Sequence, residues 1–231
     1  MTSYLHNLKT LCEQQARPDL AGPMKQYMRN QFEFLGIKSP AQKALIKQFI
    51  AENGLPDITQ VESVVRELWS WPAREYQYIA LALLGRQQKK LTPSVVPLLE
   101  YLLTTKSWWD TVDSIASHNV GKLLIEYPDQ RDPVIGNWRG SDNLWLRRTT
   151  LLFQLGHKAQ TDEALLFVLI EQNRDSREFF IQKAIGWALR EYSKTAPEAV
   201  QAFVSETSLA PLSRREALKW LKTKGKLQTS Q

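Results

Sequence analysis

The sequence predicts an all-α fold, a solenoid of about a dozen short helices. Three observations predict it: apolar residues recur at helical spacing, prolines punctuate them at short intervals, and a weak internal repeat runs along the chain. The helical spacing is seen in Leu5, Leu8, Leu11 and Cys12, then in Met24, Tyr27 and Met28. It continues in Leu45, Phe49 and Ile50, and in Val61, Val64, Val65 and Leu68. Pro23, Pro40, Pro56, Pro72, Pro93, Pro128, Pro133, Pro197 and Pro211 sit where helix starts or joints are expected. Asp142 and Ser176 stand just before helical stretches and suit N-capping. No stretch alternates with the period of two that a strand needs.

The repeat aligns Glu75–Leu81, Trp109–Ile115, Trp145–Leu151 and Phe179–Ile185, with a last copy at Arg214–Leu218. Their final apolar residues lie 34, 36, 34 and 33 positions apart. A steady period of this size means stacked helical hairpins, which curve and offer a concave face. No Gly/Ser-rich linker interrupts the pattern, so residues 1–231 read as one domain, with 228–231 expected to fray.

Composition narrows the function. The chain has 30 Lys and Arg against 24 Asp and Glu, a net charge of +6, which suits a polyanion as much as it suits a plain basic protein. Cys12 is the only cysteine, so no internal disulfide and no thiolate metal cluster can form, and Cys12 reads as a small apolar residue on a helix face. His6, His118 and His157 lack metal-ligand spacing. There is no phosphate-cradling glycine loop and no nucleophile elbow. The first twenty residues have no long apolar run, so neither a signal peptide nor a membrane span is expected, and the chain reads as cytoplasmic.

One constellation could do chemistry. Trp109 and Asp113 are four residues apart and share a helix face, which the adjacent Trp108 does not. In the repeat frame Asp113 matches Thr149 and Lys183, a polar column suggestive of a shared surface. Lys183, Trp187, Arg190 and Lys194 step along one helix, and Trp145 and Arg148 lie on another. Cations that bind phosphates beside aromatics that pack on sugars or bases suit a nucleic-acid groove. For Lys183, phosphate contact is preferred to a Schiff-base role, because nothing signals a depressed pKa. Trp69, Trp71, Trp138 and Trp220 read as core or capping residues. Spacing alone also allows Asp113 to be an N-cap or a salt-bridge partner.

Four stretches carry a resemblance: Met24–Ile37, Thr105–Ser114, Ser141–Arg148 and Glu178–Tyr192. In them the chain resembles the AlkD-type bacterial DNA alkylation-repair glycosylases, over essentially its whole length and in the same order. The resemblance implies a HEAT-like superhelix whose concave face grips duplex DNA. It implies release of cationic N3-alkylated adenine and N7-alkylated guanine, such as 3-methyladenine and 7-methylguanine, with the damaged nucleotide left stacked. Carried across, the catalytic carboxylate is Asp113 and the sugar-contacting aromatics are Trp109 and Trp187. Arg148 becomes a phosphate-binding residue, Arg190 a backbone contact, and Tyr27 a neighbour of the lesion site. No cofactor, metal or obligate protein partner is expected, and a monomer is the default. Tyr4–Gln15 can supply the N-terminal helix that some inactive relatives lack. Gly156-His157 departs from the larger or basic side chain expected near that loop, which puts a phosphate contact there in doubt. Two rival readings use the same scaffold: a non-enzymatic binder of DNA structure, and a protein-interaction solenoid.

Overall fold

Helix starts are set by proline and by short polar side chains. The computed structural model describes residues 3–224 and is all-helical, of the α-solenoid type; the expected frayed tail at 228–231 lies outside the described residues. Pro18, Pro197 and Pro211 each open a helix at its first position, where a missing N–H costs nothing. Pro23 differs from expectation and lies inside its helix. The expected caps also shift. Asn143, not Asp142, accepts the backbone N–H groups of Trp145 and Leu146 at 2.9 and 3.3 Å. Ser176 accepts from Glu178 N at 3.3 Å, three residues ahead of the first helical residue, Phe179.

The chain forms two compact units, Met1–Leu91 and Thr92–Gln231. The first contains α1 (Ser3–Gln14), α2 (Pro18–Tyr27), α3 (Ser39–Asn53), α4 (Val61–Ser70) and α5 (Arg74–Arg86). Leu5, Leu8 and Cys12 of α1 are buried, as an apolar helix face requires. The ring of Tyr4 packs edge-on against Phe49 of α3 at 4.9 Å. Glu75 of α5 is fully buried and accepts hydrogen bonds from Leu35, Gly36 and Ile37 N at 3.0, 2.9 and 3.1 Å. That carboxylate satisfies a loop that has no ladder of its own. Gly36 in this loop has φ +87°, and a Cβ there would lie 1.9 Å from Arg17 O. Of the expected apolar face of α2, Met28 just beyond its end is buried, whereas Tyr27 is 72% exposed.

The second unit runs α6 (Val96–Thr104), α7 (Trp109–Ser114), a π-helical turn (Ile115–Val120) and α8 (Gly121–Glu126). It continues with α9 (Arg131–Arg139), α10 (Leu144–Leu152), α11 (Glu163–Asn173), α12 (Phe179–Tyr192), α13 (Pro197–Glu206) and α14 (Pro211–Thr223). The repeat copies in this unit fall on α7, α10, α12 and α14, the second helix of each pair. These second helices form a layer: α7 packs on α10, α10 on α12 and α12 on α14. Leu151, Leu152, Phe153, Ile181, Ile185 and Leu189 fill the core beneath it. Glycine permits its closest seam. A Cβ on Gly186 of α12 would lie 2.5 Å from the Cβ of Glu216 and 2.9 Å from Ser213 O, both on α14. Among the described residues, no helix is long and apolar enough to cross a membrane.

Candidate active site

The layer of second helices brings the predicted constellation to one cavity of about 340 Å³. Trp109 and Asp113 of α7 and Trp187 of α12 line it together, as their spacing and the repeat frame predict. Lys183 and Arg190 line it from the same face of α12. Tyr27 belongs to the first unit, at the end of α2.

Asp113 is a salt-bridge partner, and it is inside α7 rather than at its N-cap. Its side chain is 15% exposed. Arg148 of α10 donates from Nε to Oδ1 at 2.8 Å and from Nη2 to Oδ2 at 2.9 Å, a bidentate pair. Nη1 of the same guanidinium donates to the carbonyl oxygen of Phe180. Arg148 is only 4% exposed. Arg148 also lines the cavity, but its three bonds are internal: two fix the carboxylate and the third ties α10 to α12. Burial pushes the Asp113 carboxyl above the ordinary aspartate range. Arg148 pulls it back without cancelling the rise, and Asp110 adds to it.

An aromatic cluster holds this arrangement in place. Trp145 packs against Trp108 at 5.8 Å and against Phe180 at 5.1 Å, so it supports the wall. Phe180 and its neighbour Phe179 line the cavity, and Phe179 is 53% exposed. Neither phenylalanine is singled out by spacing, because both fall in an apolar helical pattern that reads equally as core.

The polar column behaves differently at each copy. Thr149 is fully buried and donates its hydroxyl to Trp145 O at 2.8 Å, so it lines no surface. Lys183 Nζ lies 3.2 Å from Glu216 Oε1, and Arg190 Nη1 donates to Glu216 Oε2 at 2.9 Å. Lys194 leaves the row: it pairs with Glu191 and lines a second cavity beside Lys158 and Tyr192. Glu216 is the residue that sequence reasoning missed. It occupies the column position 33 residues after Lys183 and is an isolated acid in a basic segment, and both signals were readable. Burial pushes its carboxyl up, but the hydrogen bond and charge of Lys183, with Arg190 and Lys219, outweigh that and hold it below the ordinary value.

His157 turns inward. It is 8% exposed and donates Nε2–H to Gly121 O at 3.1 Å. Gly156 is exposed with open space around its Cα, and the basic residue of that loop is Lys158 at φ +53°. The second unit thus has a structural histidine where a phosphate contact was in doubt. Among the described residues no group of three or more His, Cys, Asp or Glu could hold a metal ion.

A solved structure described as a predicted DNA alkylation repair enzyme from Enterococcus faecalis is 36% identical, with a TM-score of 0.83. The match covers 90% of this chain and 97% of that one. No curated protein matches. The family model for DNA alkylation repair enzymes matches residues 8–221. With its acid, its two indoles and its cations on one layer of repeat helices, the chain belongs to the DNA alkylation repair enzyme family.

Proposed function

We propose that this chain is a monofunctional DNA glycosylase. It hydrolyses the N-glycosidic bond of cationic alkylated purines, 7-methylguanine and 3-methyladenine, in duplex DNA with the lesion left stacked. The observation that carries this reading is Asp113, nearly buried, held by Arg148 and sharing its cavity with Trp109 and Trp187.

The chemistry follows from charge. An N3- or N7-alkylated purine is already a cation, so its departure needs no proton donor. The C1′–N bond breaks, its electron pair neutralises the base, and positive charge develops on the deoxyribose. Water adds to C1′, and its proton passes to the Asp113 carboxylate or to solvent. Each Asp113 oxygen has a second lone pair beyond the one that Arg148 uses, available to that charge or that water. At ~4 Å the attraction is roughly 1 kcal/mol in bulk water but about 4 kcal/mol at an effective dielectric of 20. The larger figure is close to a thousandfold in rate, at ~1.4 kcal/mol per factor of ten. Exclusion of solvent is therefore essential, and the two indoles supply it along with π-faces that favour a cation. The reading requires no cofactor, and one chain suffices as a monomer working in the cytoplasm.

A base-release assay on methylated duplex DNA tests it. The wild-type chain should release 7-methylguanine in single turnover, and Asp113→Asn should slow release by about 10²–10³-fold while lesion DNA still binds. Duplex binding with no base release by the wild type would instead make the chain a non-enzymatic binder of DNA structure. Uracil, a neutral leaving group, should not be released.

A further inference from the structure

We propose that Glu216 tunes affinity for the duplex backbone: it holds the Lys183–Arg190 pair in the way a backbone phosphate would, and so weakens binding to any duplex, undamaged DNA included. The inference rests on the reading that this cavity faces duplex DNA.

Lys183 and Arg190 are seven residues apart on α12 and flank Trp187. Two helical turns of about 10.5 Å separate them along the axis, so they do not share a ligand by default. Glu216 makes them share one, with Oε1 towards Lys183 and Oε2 towards Arg190. The seam between α12 and α14 enforces this. Gly186 lies three residues after Lys183 and four before Arg190, and its missing side chain admits the Cβ of Glu216. Ser213 Oγ donates to Gln182 O at 3.0 Å and ties the two helices together one turn away.

A carboxylate and a phosphodiester each present two oxygens that share one negative charge. The trio of Lys183, Glu216 and Arg190 thus carries +1 where the two cations alone would carry +2. Non-specific affinity for duplex DNA comes almost entirely from cations that neutralise phosphates. Recognition of a lesion also draws on Asp113 and the indoles, which Glu216 leaves intact. Removing one positive charge from the rim therefore weakens every DNA complex by a similar factor and leaves the preference for a lesion to Asp113 and the indoles. Undamaged sites vastly outnumber lesions, so the weaker grip shortens the time spent on them.

The test is the salt dependence of binding to an undamaged duplex of fixed length between 50 and 200 mM NaCl. Glu216→Gln removes the charge and keeps the volume; Glu216→Ala is the second variant should the first fold poorly. Either should bind more tightly at 50 mM, with a log–log slope steeper by about 0.9, or about 3.5-fold more affinity lost across that range. Adding Lys183→Ala should return the slope to the wild-type value, a restoration that mere loosening of α14 would not give. A slope unchanged or shallower in both Glu216 variants, or one that Lys183→Ala does not restore, overturns the proposal. If those slopes fail while Asp113→Asn still slows base release as expected, the glycosylase reading stands alone. If the wild type shows no salt-sensitive duplex binding, both readings fall.

Discussion

The guanidinium that grips Asp113 is more deeply buried than the acid itself, yet the acid's own burial sets how the site responds to pH. Burial raises the Asp113 carboxyl, so on acidification it takes up a proton at a higher pH than an ordinary aspartate near 3.9. On the proposed mechanism, excision requires the ionised form. Single-turnover release of 7-methylguanine should therefore fall on its acid side with an inflection above that value. Arg148→Gln removes the one influence that lowers the carboxyl, so the inflection should move to still higher pH; a rate profile between pH 4 and 8 checks both. The same substitution breaks a bidentate, largely buried ion pair, and urea unfolding should register a loss of about 3–5 kcal/mol. At this scale the sequence was legible for Asp113, Trp109 and Trp187, since spacing on one helix and register between repeats decide who shares a face. It was not legible for Arg148. Whether an arginine meets a phosphate or an aspartate 35 residues away depends on how α7 packs against α10, which no local pattern encodes. Glu216 was legible only through the repeat register.

Helices were read from their period, and their seams were not. The apolar spacing in α1, α3 and α4 predicted which faces are buried, that of α2 failed at Tyr27, and the cap expected at Asp142 moved by one residue because Asn143 reaches two N–H groups. The π-helical turn between α7 and α8 is invisible to a 3.6-residue pattern, since one extra residue in a turn leaves the apolar face nearly unchanged. The close approach at Gly186 predicts that Gly186→Ala costs about 1–3 kcal/mol, because a methyl group there meets α14 at 2.5 Å. Thermal unfolding would measure it. His157 makes a pH-dependent tie beside the π turn. Desolvation lowers its pKa, with Arg131 adding, against the hydrogen bond to Gly121 that raises it. A depressed histidine is neutral in the folded state while the unfolded ring takes up a proton below about pH 6.5. Its stabilisation is therefore present above that pH and lost as pH falls. Urea unfolding at pH 7.5 and 5.5 should show this loss, and His157→Gln should reduce it.

At the scale of the whole molecule, the repeat position that is Ile79 in the first copy carries an acid, a hydroxyl, an amine and an acid in the next four: Asp113, Thr149, Lys183 and Glu216. Each helix of the layer contacts its neighbours, so a change at one copy alters the local pair and leaves the stack standing. The all-helical class and the repeat were legible because periodicity is global. The division into two compact units was not, since no change in composition marks residue 91. The net charge of +6 predicts that affinity for any duplex falls steeply with salt, which a titration on undamaged DNA checks directly.

The seam at Gly186 ties architecture to search behaviour. A larger residue there displaces the glutamate along with its helix, so the first symptom of such a change would be slower departure from intact DNA. Slow departure means fewer sites inspected per minute, a defect in patrol that an assay of chemistry on a short damaged oligonucleotide would miss.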